Sequence, residues 1–171
     1  GITLKNFTID GTNHVTSTSF ASGLIMDLSN GALSNITIEN LYIKAKGTYD
    51  NAINFSSDVG RNENVRIVNN RIENLTDALT YYAIEIRKKT DYLWIEGNYI
   101  NSYNDQVGDM YNSIAVYGGS KHFHVNNNTV IVNASAHSAI AVSPGSVGEI
   151  VGNTVEYLDA TGEGAIEIET H

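Results

Sequence analysis

The residues of this chain whose types could do chemistry fall at fixed offsets from a short recurring apolar-x-apolar unit. The unit reads MDL, INF, IEI, IAV, IAV and IEI, anchored on Met26, Ile53, Ile84, Ile114, Ile140 and Ile166. Between its apolar positions stand Asp27, Asn54, Glu85, Ala115, Ala141 and Glu167, and two places further on Ser29, Ser56, Arg87, Tyr117, Ser143 and Glu169. Asp27, Asn54, Glu85 and Arg87 then form a local polar patch that ends at Ala115 and Ala141. If each unit is one strand and neighbouring strands lie about 4.8 Å apart, Asp27 and Glu85 are roughly 10 Å from each other. That is the wide edge of the roughly 6.5–9.5 Å separating acid from base in inverting glycoside hydrolysis. For an enzyme, Asp27, Glu85 and Arg87 are the candidate catalytic residues. The bland alternative carries more weight for any single residue: a solvated sheet face is polar by default, and Glu85 with Arg87 makes an ordinary surface pair.

Tyrosines accompany the patch. Tyr81, Tyr82, Tyr111 and Tyr117 lie at or beside the same units, with Tyr49 and His137 at comparable loop positions. Sugar rings present apolar C–H faces that pack on flat side chains, so Tyr81, Tyr111 and Tyr117 with Asn54 are candidate substrate-binding residues; loop packing is the competing account. Trp94, Tyr99 and Tyr42 belong to other strands, as a partner contact or a cross-coil stack. Asp105 and Asp109, in the loop NSYNDQVGDMYN, could hold a hard cation such as calcium, against the simpler reading of an acidic loop. His122 and His124 share a strand face, but two ligands without a third do not make a zinc site. Sequons beginning at Asn6, Asn35, Asn54, Asn74, Asn127 and Asn133 arise readily in an Asn- and Thr-rich repeat.

The elements that must position these residues are set by repetition. A second pattern, two apolar residues five apart with Asn or Gly between, runs through LKNFTI, IENLYI, IVNNRI, IEGNYI, VNNNTV and IVGNTV, anchored on Leu4, Ile38, Ile67, Ile95, Val125 and Ile150. Both series recur at roughly 25–34 residues and interleave without a miss, the signature of a solenoid whose length differences sit in loops. Each coil must turn alternate apolar residues inward and pair each strand with its equivalent one coil away. This predicts an all-β parallel β-helix of about six coils with three sheets, forming a single domain over residues 1–171. Asn70, Asn98, Asn128 and Asn153 share one register and should form a buried side-chain ladder that satisfies turn backbone. In the first two coils that register holds Phe7 and Leu41, so the ladder should be interrupted there.

These repeats, with their two-residue Asn-bearing turn, resemble those of the pectate-lyase-like superfamily of right-handed parallel β-helices, over essentially the whole chain. The resemblance is strong for architecture and weak for activity, because that fold serves polysaccharide lyases, polygalacturonase-type hydrolases, epimerases, phage tailspikes and adhesins. It implies that substrate lies along the sheet built from the apolar-x-apolar units. Resembling lyases hold calcium with acidic residues and use an Arg or Lys as base, but no motif here matches theirs residue by residue. Members usually cap their helix ends, whereas this chain opens on the strand GITLKNFTI and stops after AIEI, so it is expected to be part of a longer protein.

Composition narrows the partners. With 10 basic and 19 acidic residues the net charge is −9, which repels a phosphate backbone and makes nucleic acid an unfavourable partner. A strongly anionic polymer would need Arg87, Lys88 and Lys89 to reverse the field locally, or calcium to bridge the charges. No apolar run is long enough to insert in a membrane, and there is no cysteine for a disulfide framework. Two classes remain. One is a carbohydrate-directed domain of an extracellular, cell-surface or virion protein acting on a polysaccharide or cell-surface glycan, as lyase, hydrolase or tailspike segment. The other is a structural or adhesive spacer. Homo-oligomerisation stays open in both.

Overall fold

The computed structural model describes residues 1–11, 22–27, 31–45, 50–55, 60–74, 82–103, 110–133, 136–158 and 162–168. Among them eighteen strands recur in trios and pair only in parallel. The first sheet is β1 (Ile2–Lys5), β4 (Ser34–Glu39), β7 (Asn62–Val68), β10 (Thr90–Glu96), β13 (Lys121–Asn126) and β16 (Val147–Val151). The second is β2 (Thr8–Asp10), β5 (Tyr42–Ala45), β8 (Arg71–Asn74), β11 (Tyr99–Tyr103), β14 (Thr129–Asn133) and β17 (Thr154–Tyr157). The third is β3 (Ser22–Asp27), β6 (Asp50–Phe55), β9 (Tyr82–Ile86), β12 (Met110–Val116), β15 (Ala136–Val142) and β18 (Gly162–Ile168). Every strand lies beside the strand three before or after it, which is a parallel β-helix.

The register follows the apolar anchors. Leu4, Ile38, Ile67, Ile95, Val125 and Ile150 form one continuous column, and Ile53, Ile84, Ile114, Ile140 and Ile166 form another. Ile67, Ile95, Val125, Ile84, Ile114 and Ile140 are all 0 % exposed. Each contributes about 1.5–3 kcal/mol of transfer free energy to a core that runs the length of the helix.

In the first trio the anchor differs from the sequence expectation. Ile25, not Met26, pairs with Ile53; Met26 pairs with Asn54 and Asp27 with Phe55. The run Leu24-Ile25-Met26-Asp27 alternates acceptably in either register. The inward register is tolerated because the buried Asp27 carboxylate meets the Lys88 ammonium at 3.2 Å and accepts from Asn62 Nδ2 at 3.2 Å.

The turn from first to second sheet is always two residues. Its first residue is left-handed throughout, at Asn6, Asn40, Asn69, Gly97, Asn127 and Gly152 (φ 53–68°). Asn tolerates that conformation at small cost. Glycine stands at 97 and 152, where a Cβ would lie 2.5 and 2.4 Å from Oδ1 of Asn69 and Asn127 respectively, so a larger residue there would have to displace those amides.

The second turn residue builds the expected ladder. Asn98 Oδ1 accepts from Asn70 N (2.9 Å), Asn128 Oδ1 from Asn98 N (3.0 Å) and Asn153 Oδ1 from Asn128 N (2.8 Å). Each Nδ2 also donates to a backbone carbonyl: Asn70 to Ile38, Asn98 to Ile67, Asn128 to Ile95 and Asn153 to Val125. Leu41 interrupts the row as expected, although its N–H still donates to Asn70 Oδ1 at 3.0 Å. At the far position Phe7 is exposed.

Candidate functional site

The third sheet, where the polar patch was expected, is buried on both faces at the described positions of β6, β9, β12 and β15, whereas Ile166 and Ile168 of β18 are exposed. Asn54, Ala115 and Ala141 are each 0 % exposed and Glu85 1 %. The strand alternation breaks near its start: Ala83 and Ile84 both join the core, whereas Tyr82 packs with Ala115 and Tyr117 on the outer side. That break stacks Asn51, Tyr82, Asn112, Ser138 and Gly164 in one outward column that approaches the column of Glu85 and Glu167. Asn51 Nδ2 donates to Glu85 Oε2 at 3.0 Å while its Oδ1 accepts from Tyr82 N at 3.0 Å. Asn112 Nδ2 donates to the Tyr117 hydroxyl at 3.0 Å, and the single Ser138 hydroxyl proton has Asn112 Oδ1 at 2.6 Å or Glu167 Oε2 at 3.1 Å as its acceptor. The Tyr82 and Tyr117 rings meet edge to face, with centroids 6.2 Å apart.

Arg87 closes this network toward solvent, its Nε donating to Glu85 Oε1 at 2.6 Å; its side chain is 45 % exposed against 2 % for Glu85. Glu85 and Arg87 are therefore not the exposed pair of the bland reading. Burial, with the Glu85 charge nearby, pushes the Tyr82 phenol up to about 12. Asn54, whose partner in the next strand is Glu85, finds no hydrogen-bond partner for either amide atom among the described residues.

Of the sequence-predicted residues, the structure brings Asn54, Glu85, Arg87 and Tyr117 to the same side of the third sheet. Asp27 is not with them: set in the register of Phe55, it faces the corner between third and first sheets and cannot pair with Glu85 across that face. Lys88, one of the three cations that would have to reverse the field for an anionic polymer, is 0 % exposed and held by Asp27 and the Gly31 carbonyl. Tyr81, Asp105, Asp109 and Tyr49 lie outside the described residues, as do the side chains of Tyr111 and His137. Among the described residues no three His, Asp or Glu side chains converge as metal ligands.

Sequence reasoning missed most of the ring system on the outer face of the first sheet. Trp94 stacks on His124 (5.8 Å between centroids, 3° between planes), Tyr92 stacks on His122 (4.8 Å, 8°), and the Arg66 guanidinium covers Trp94 at 5.2 Å. Tyr92 and His122 are left-handed, at φ 56° and 55°, in the column of Asn35 (φ 56°) and Asn64 (φ 56°). Nothing in the local pattern marks this extra half-twist. On the second sheet Arg71 lies between the Tyr42 and Tyr99 rings, 5.6 and 5.0 Å from their centroids, and pairs with Glu73, which also accepts from the Tyr42 hydroxyl at 2.5 Å. Trp94 thus takes part in a cross-coil ring stack, and Tyr42 and Tyr99 in cross-coil packing on Arg71.

Searches against family models, curated proteins and solved structures each found no match to the chain.

Proposed function

We propose that this β-helix is a carbohydrate-directed segment of the pectate-lyase-like type, part of a cell-surface, extracellular or virion protein, and that it binds rather than cleaves its glycan. The observation that carries this reading is the convergence of unlike groups on one side of the third sheet. Arg87 and Tyr117 reach solvent above a buried network of Glu85, Asn51, Asn112 and Tyr82 that fixes their orientation. A guanidinium and a phenol held this way supply hydroxyl recognition and an apolar face together, with Tyr81 and Tyr111 added to the contact set from sequence. Hydrolysis is disfavoured because Asp27 is off the face and Glu85 is engaged by Arg87 and Asn51. Glu167, the next acid on that face, is three strands away, roughly 14 Å at about 4.8 Å per strand, too far for paired acid–base work.

The test is a glycan array followed by calorimetry. Arg87→Ala and Tyr117→Ala should each weaken the best glycan at least about tenfold, with folding checked because Arg87→Ala also removes a partner of buried Glu85. Binding unchanged in both variants would put the surface elsewhere. The spacer reading draws on one observation, the near-complete burial of Asn54 and Glu85; it predicts no glycan binding at all.

A further inference from the structure

The Tyr92–His122 stack ends abruptly. Asn35, Asn64, Tyr92 and His122 occupy one left-handed column on four neighbouring strands, since each precedes a residue of the Ile36, Val65, Leu93 and Phe123 register. In β16 the column has no successor: Val147 pairs with Lys121 and Gly148 with Phe123, so the register shifts and no residue stands opposite His122. One face of the His122 ring is covered by Tyr92. The other looks into a cleft of about 230 Å³ lined by His122, Phe123, His124, Val147, Gly148 and Glu149.

The cleft is therefore a vacancy of one residue in a column of stacked groups. Its rim carries one carboxylate. Glu149 Oε1 lies 2.8 Å from both His124 Nδ1 and Asn126 Nδ2, which fixes the side chain, while Oε2 accepts from none of the described residues. Those two hydrogen bonds, His124 first, hold the Glu149 carboxyl below the usual carboxylate range, so it is an acceptor at neutral pH. A ligand for this place needs a flat apolar face at the ring-stacking distance and hydroxyl donors at its edge. A plain aromatic ring has the first and lacks the second. A uronic acid has both but meets the Glu149 charge and a net charge of −9.

We propose that the cleft between β13 and β16 binds a single neutral pyranose ring, its C–H face on the open face of His122 and its hydroxyls donating to Glu149. The site shares the ligand class of the third-sheet reading but none of its residues, so either can fail alone.

The experiment is an NMR titration of the chain with methyl β-glucopyranoside, methyl β-galactopyranoside, galacturonate and anisole, a flat ring without a hydroxyl donor, following the His122 and Trp94 ring signals. A neutral pyranoside should saturate the His122 shifts with a Kd on the order of 1–10 mM, as befits one small ring. His122→Asn uses the residue found twice in the same left-handed column, so it keeps the backbone and removes only the ring; affinity should fall at least about tenfold. His122→Tyr, copying Tyr92, should retain binding, and Glu149→Ala should weaken it several-fold. The proposal is overturned by absent His122 shifts, by binding that survives His122→Asn, or by anisole or galacturonate binding as well as the neutral sugars. Loss in Arg87→Ala with retention in His122→Asn would likewise overturn it while supporting the third-sheet surface.

Discussion

Replacing Asn98 by Ala isolates the ladder from the rest of the fold. Asn98 Oδ1 is the acceptor for Asn70 N at 2.9 Å and Asn70 Nδ2 at 3.0 Å, and Asn98 Nδ2 donates to Ile67 O at 2.8 Å and Asn128 Oδ1 at 2.9 Å. In the variant, the residue 98 N–H keeps its bond to Asn128 Oδ1, and Asn70 Nδ2 keeps the Ile38 carbonyl. What is orphaned is the buried Asn70 N–H, while the Ile67 carbonyl loses one donor. An unsatisfied buried group costs about 1–3 kcal/mol, and the loss of the second bond brings the expectation to about 2–3 kcal/mol. Asn153→Ala makes the same kind of change where the asparagine is half-buried and water can replace it, so about 1 kcal/mol is expected there. Urea unfolding compares the two. Because solenoids can lose cooperativity, amide exchange supplies the local reading: protection should fall at the Asn70 amide and persist at Asn128, whose acceptor is Asn153. A cost for Asn98→Ala below about 0.5 kcal/mol, or Asn153→Ala as costly as Asn98→Ala, would refute the reasoning.

Other substitutions test other parts of the structure. Lys88→Met leaves Asp27 buried without its cation and should cost about 3–5 kcal/mol by urea unfolding, whereas adding Asp27→Leu should recover most of the loss. Tyr92→Asn relieves a left-handed tyrosine but removes its stack on His122. Two terms of about 1 kcal/mol then oppose each other, and stability should stay within about 0.5 kcal/mol of the parent. Tyr82, its phenol pushed up to about 12 by burial and by Glu85, has a folded pKa above the unfolded value near 10.0. Its contribution is complete below about pH 10 and is lost as pH rises toward about 12, so stability measured at pH 9 and pH 11 should differ less in Tyr82→Phe than in the parent.

Architecture was legible in the sequence because an inward apolar anchor has one way to be satisfied in a solenoid: every Ile of the first series sits in its expected column. The ladder was legible for the same reason, since a buried turn needs an amide at that place. Asp27 was misplaced because alternation alone cannot choose between two registers one residue apart, and the deciding partner, Lys88, is sixty-one residues away. The outward character of Asn54 and Glu85 was read correctly as direction and wrongly as exposure; pattern gives the face, not what lies over it. The first-sheet stacks depend on a left-handed residue inserted before each anchor, and Tyr92 and His122 look locally like any strand residue.

The invariant two-residue turn has a consequence for how such a chain can vary. Between first and second sheets every connection has the same length, while those leading from second to third run from two to eleven residues. Pitch and phase are thus written on one side of the molecule and length on the other. Inserted sequence at the flank of the third sheet would change what stands beside Arg87 and Tyr117 without shifting a single anchor, so recognition can diversify, by selection or in a designed library, against a scaffold whose spacing is conserved by geometry alone.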